Sequence, residues 1–108
     1  MIDINLLKRK GIYQGLTSNG HALFDDYGKD IVCAAASVLV INTINSIECL
    51  TSDKIRVDTV PGEGIINMEF VSSPSNESRL LMDALLLGLQ GIRKKYGDNY
   101  LRVNIKEV

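Results

Sequence analysis

The sequence predicts an α+β domain, one sheet packed with two helices in the order ββαββαβ. Three observations carry this. Five short stretches alternate apolar and polar residues with period two, as half-buried strands do. Two longer stretches are apolar with helical periodicity. The 108 residues, 45% hydrophobic, suffice for one core and are too few for two, so residues 1–108 are read as a single domain.

Ile2, Ile4 and Leu6 alternate with Asp3 and Asn5 in a first strand. Arg9-Lys10-Gly11 is a tight turn into a second, antiparallel strand over Ile12–Thr17. Ser18-Asn19-Gly20 breaks it, and His21, the only histidine, follows. Leu23-Phe24-Asp25-Asp26-Tyr27-Gly28 has neither period and reads as a loop.

A first helix starts at about Asp30, a good N-cap residue. Ile31, Val32, Ala34, Ala35, Val38, Leu39, Ile41 and Ile44 surround it nearly completely, so it is buried. Its β-branched residues are mediocre helix formers, and packing must hold it. It frays near Ile47–Leu50, and Thr51-Ser52-Asp53 closes it.

Ile55, Val57 and Thr59 form a third strand. Pro61-Gly62-Glu63-Gly64 turns the chain, and Ile66, Met68 and Phe70 form a fourth. Ser73-Pro74 resembles an N-cap followed by proline at the first helical position. Leu80, Leu81, Ala84, Leu85, Gly88, Leu89 and Ile92 then keep helical period through Tyr96. Lys94-Lys95 complement the dipole, and Gly97 takes the left-handed cap. Gly88 and Gly91 allow close packing against the first helix. Leu101, Val103 and Ile105 form the fifth strand.

Twelve basic and thirteen acidic residues nearly balance, and no basic stripe occurs, which argues against direct nucleic-acid binding. Two cysteines, Cys33 and Cys49, make no disulfide scaffold and fit a reducing cytoplasm. The residues after Met1 mix acids and bases and do not read as a signal peptide. The longest apolar run, Ile31–Ile41, is too short to span a bilayer, so no membrane is expected. One histidine and two distant cysteines match no metal spacing, no phosphate or dinucleotide loop occurs, and no cofactor is expected.

Chemistry concentrates in Gly20–Ser37, GHALFDDYGKDIVCAAAS. A thiol in the first turn of a helix meets free N–H groups and the positive end of the dipole, and the thiolate is the nucleophilic form. On this reading Cys33 attacks a carbonyl, His21 moves its proton, and N–H groups around Cys33 hold an oxyanion. The competing reading makes Cys33 a small core residue. Asp30 either caps the helix or orients His21. Ser37 either reaches Cys33 or the loop, or bonds back to the carbonyl of Cys33.

This segment resembles the ribosomal-processing cysteine protease family Prp of Firmicutes and related bacteria. The match includes Gly20-His21-Ala22, Gly28, Asp30-Ile31-Val32-Cys33-Ala34-Ala35 and Ser37, and the length and element order fit as well. Ala36 stands where the family frequently has valine, and Leu23–Tyr27 match no fixed pattern. The resemblance implies a cysteine peptidase with a His21–Cys33 dyad, Asp30 and Ser37 being motif positions of supporting role. It implies a mobile loop between histidine and cysteine. Apart from the resemblance, the loop Gly20–Lys29 reads as closing over an extended peptide, with Gly20, Ala22, Leu23, Phe24, Tyr27 and Gly28 as its substrate-binding residues. The resemblance further implies a homodimer. The implied substrate is a ribosomal protein precursor, the N-terminal extension of large-subunit protein twenty-seven. The alternative is a non-enzymatic dimeric peptide-binding module in ribosome assembly; a further one is another cysteine-dependent hydrolase, such as a thioesterase.

Overall fold

The computed structural model describes residues 1–20 and 27–108, the side chains of residues 27–30 and 61 excepted. The strands are β1 (Ile2–Arg9), β2 (Ile12–Asn19), β3 (Ile55–Val60), β4 (Ile65–Phe70) and β5 (Leu101–Glu107). The helices are α1 (Tyr27–Leu50) and α2 (Asn76–Tyr96), and a short 3-10 turn spans Pro61–Glu63. The order is the expected ββαββαβ.

The five strands form one sheet in the order β3-β4-β2-β1-β5. β5 runs parallel to β1, and the other neighbouring pairs are antiparallel. Lys10 and Gly11, both at positive φ, make the β1–β2 turn. Strand alternation sends Ile2, Ile4, Leu6, Leu16, Met68, Phe70 and Leu101 to the face beneath the helices, where all are buried. A register shift between Leu7 and Lys8 adds the residue that turns Tyr13 into the same core. Its hydroxyl donates to Asp83 Oδ1 of α2 at 2.6 Å.

The other face of the sheet is polar. Asp58, Asn67, Thr17, Asn5 and Asn104 stand side by side across the five strands. Asn5 Nδ2 donates to Thr17 Oγ1 at 3.1 Å, and Asn104 Nδ2 to Asn5 Oδ1 at 3.3 Å. Both helices therefore lie on one side of the sheet, giving two layers.

Four boundaries differ from the expectation. α1 begins at Tyr27, not near Asp30. No proline blocks residues 27–29, and aspartate suits the first turn of a helix as well as its cap. β2 continues through Ser18 and Asn19, because both are paired on each side, with β1 and with β4. α2 is capped by Ser75, not Ser73; the Ser75 hydroxyl accepts from the Ser78 N–H at 3.3 Å. Gly97 does close α2 at positive φ, and its N–H reaches the Arg93 carbonyl at 2.7 Å, but its ψ of 175° is extended, not left-handed helical.

Of the two helical glycines, only Gly88 serves the packing expected of both. A Cβ built there would lie 2.9 Å from Leu39 Cδ1 of α1, whereas one at Gly91 meets nothing within 4 Å. The stretch Ile31–Leu50 is, by length and composition, apolar enough to cross a bilayer, although its unbroken apolar run is shorter. Val32, Ala36, Val40, Ile44 and Ile47 are buried in the core, but Ala34, Val38 and Ile41, expected to be buried as well, are exposed, because the helix covers the sheet from one side and turns its other face outward.

Candidate active site

The chain leaves β2 under tight control. Gly20 has φ of 107°, and a Cβ there would collide with the Met1 carbonyl oxygen. Its N–H donates to the Gly64 carbonyl at 3.1 Å. Gly64, itself at φ of 66°, ends the turn into β4. The residue before His21 is thus fixed by two strand ends, and only glycine fits. His21, Ala22, Leu23 and Phe24 lie outside the described residues, as do Asp25 and Asp26.

Tyr27, Gly28 and Asp30 belong to the backbone of α1, not to a loop. Asp30 is therefore a helical residue and does not occupy the cap position. Cys33 lies beyond the first turn, which spans residues 27–30. A regular helix commits its N–H to the carbonyl four residues earlier, and the dipole effect fades within the first turn. The first-turn support expected for the thiolate and for an oxyanion is not available at that position.

Cys33 is nevertheless accessible. It is only partly buried and packs against the edge of the core. Ser37, also partly buried, follows one turn later on the same side of the helix. Cys49, near the far end of α1, is free and exposed, about 24 Å along the axis from Cys33. Among the described residues no cluster of histidine, cysteine and carboxylates has the composition of a metal site.

A family model for the cysteine protease Prp matches residues 1–101. The chain belongs to the Prp cysteine protease family. It is accordingly a cysteine peptidase. The ribosomal processing cysteine protease Prp of Staphylococcus aureus is 31% identical over 107 residues, 98% of this chain and 100% of that one. The Bacillus subtilis protein of the same name is 33% identical over 88 residues, 78% of each chain. Two S. aureus Prp crystal structures superpose closely. The complex with a substrate peptide gives a TM-score of 0.90 at 29% identity, and the complex with a covalently linked product peptide gives 0.87 at 30%. Each covers 98% of this chain and all of the other.

Two features of the Prp fold escaped the sequence reading. Gly20 read as a loop residue, whereas it is a clamp between Met1 and Gly64; its neighbour Asn19, which looked like a strand breaker, concealed this. The second is a hollow beside α1 lined by Ile41, Ile44, Val57 and Ile66. Each of those residues reads as ordinary core in a period-two or helical pattern.

Proposed function

We infer that Cys33 is the nucleophile and His21 its acid–base partner in the hydrolysis of a peptide bond. The sulfur of Cys33 bonds to the scissile carbonyl carbon while His21 takes the thiol proton. The carbon–nitrogen bond breaks, and His21 returns the proton to the departing amine. Water then hydrolyses the thioester and restores the thiol. The observation that carries this reading is that Cys33 is partly exposed on the helix that follows Gly20, the residue that fixes the chain just before His21. Asp30 and Ser37 are positioning residues, and the segment between Gly20 and Tyr27 contributes to substrate binding.

The substrate in this reading is the N-terminal extension of a ribosomal protein precursor, large-subunit protein twenty-seven. The names of the S. aureus and B. subtilis relatives support ribosomal processing. The cytoplasm is the corresponding location. A homodimer is part of the same reading. Val38, Leu80 and Leu87, 64%, 69% and 72% exposed, give the outer face of the two helices an apolar character that a second copy would cover.

Cleavage of a precursor peptide by purified variants is the test. Cys33→Ala is expected to lower the rate by about 10³-fold or more, as loss of a nucleophile does. Undiminished cleavage by Cys33→Ala would refute the assignment. Peptide binding without any cleavage by the intact protein would favour the binding module.

A further inference from the structure

At 100° per residue, Cys33, Ser37, Ile41, Ile44 and Glu48 fall within one arc of about 80° on α1. The far half of that arc borders a hollow of about 220 Å³, completed by Asn45 of α1, Val57 and Thr59 of β3 and Ile66 of β4. The hollow exists because the helices leave β3 uncovered. Val57 pairs with Met68 and so shares the helical face of the sheet. Met68 is 2% exposed, yet Val57 is 38% exposed. The isoleucines and the valine make its wall mainly apolar, with Glu48 at the end away from Cys33.

The spacing along the helix matches a peptide. Ile41 and Ile44 are eight and eleven residues beyond Cys33, roughly 12 and 16 Å along the axis at 1.5 Å per residue. An extended chain covers that span in about four to five residues at roughly 3.3 Å each.

We propose that this hollow is a distal specificity subsite, which receives a large aliphatic or aromatic side chain of an extended peptide four or five residues from the bond that is cut. The proposal rests on Cys33 as the nucleophile, because the register is counted from its sulfur. Continuity decides for a peptide: the hollow lies on the arc that carries Cys33. Size decides against a second copy, since a stable interface takes roughly 800 Å² from each partner and this recess holds one or two side chains. Val38, Leu80 and Leu87 do not line the hollow.

The test uses the full chain and a set of precursor peptides with leucine, aspartate or lysine at the fourth and fifth residues on either side of the scissile bond. Wild-type protein should cleave the leucine peptide with kcat/KM about 10- to 100-fold above the aspartate peptide on one side only, mostly through KM. Val57→Asp changes an already accessible position. It should erase that preference and favour lysine over leucine. A Val57→Asp variant that discriminates as wild type does would overturn the proposal. So would conversion of a dimer to a monomer with equal losses on every peptide, which would make the hollow an interface between copies. Binding of the same peptides to Cys33→Ala, followed by fluorescence anisotropy, separates the two readings. An absent leucine preference with cleavage abolished sinks the subsite alone. Persistent cleavage by Cys33→Ala removes the nucleophile and the register counted from it.

Discussion

The two helices lie side by side on one sheet and share one core, α2 through Met82, Leu85 and Leu89, but they differ at their ends. α2 is bounded by local chemistry. Asp53 Oδ2 accepts from the Ser75 N–H at 3.0 Å and from the Ser75 hydroxyl at 2.6 Å, and the buried Ser78 hydroxyl donates to the same oxygen. Ser75 caps the helix, and Arg93, Lys94 and Lys95 occupy its last turn. α1 has no basic residue in its last turn. Its buried stripe of Val32, Ala36, Val40, Ile44 and Ile47 runs along the same core. A helix held by burial is free to begin where packing dictates. A helix held by its caps begins where the capping residue stands.

The sharpest way to break this contrast is to weaken burial in α1. Ile47 is fully buried. Ile47→Ala should lower unfolding stability by about 2–5 kcal/mol in a denaturant titration, the usual cost of an aliphatic cavity. Leu80→Ala, on the exposed side of α2, should change it by less than about 0.5 kcal/mol. Comparable losses at the two positions would contradict burial as what Ile47 contributes to α1.

The Asp53 network tests the other half. Asp53→Ala leaves the Ser78 hydroxyl and the Ser75 N–H without their acceptor, and about 1–3 kcal/mol of stability should go with it. The hydrogen bonds from Ser75 and Ser78 hold the Asp53 carboxyl below the ordinary aspartate range. A carboxyl lowered in the folded state contributes stability above its unfolded value of about 3.9, and that contribution fades as pH falls through the lower folded value. Asp53→Asn should therefore be less acid-sensitive than wild type below about pH 4. An unchanged acid limb would detach Asp53 from the start of α2.

The smallest effect compares two glycines of α2. Gly91→Ala enters open space and should stabilise by about 0.5–1 kcal/mol through helix propensity. Gly88→Ala must displace the end of Leu39, so its gain should be smaller or absent. Equal gains would mean that α1 and α2 are not in close contact there.

The same division explains what was legible in the sequence. Alternation placed all five strands; β1, β2, β4 and β5 bury residues on the helical face, and β3 keeps the same pattern although the helices leave it uncovered. The start of α1 was misread because Asp30 has cap chemistry and nothing before it looks helical. The Ser73-Pro74 pair offered a cap signature two residues early; the acceptor that selects Ser75 is Asp53, distant in sequence and invisible to local rules. At the site, Gly20, Cys33 and Ser37 stood out by residue type. The hollow over β3 did not, because it arises from where α1 fails to cover an edge strand. Ile41, Val57 and Ile66 look in sequence like any core residues.

The central claim is that Cys33 is chemically set apart from an ordinary thiol, and its own helix supplies the control. Cys49 is more exposed and stands on the same helix. Limiting iodoacetamide at neutral pH, with both sites followed by peptide mass spectrometry, compares them directly. Cys33 should be alkylated first despite its partial burial, and His21→Ala should abolish that lead. Faster labelling of Cys49 in the wild-type protein, or a lead at Cys33 that survives His21→Ala, would contradict the account.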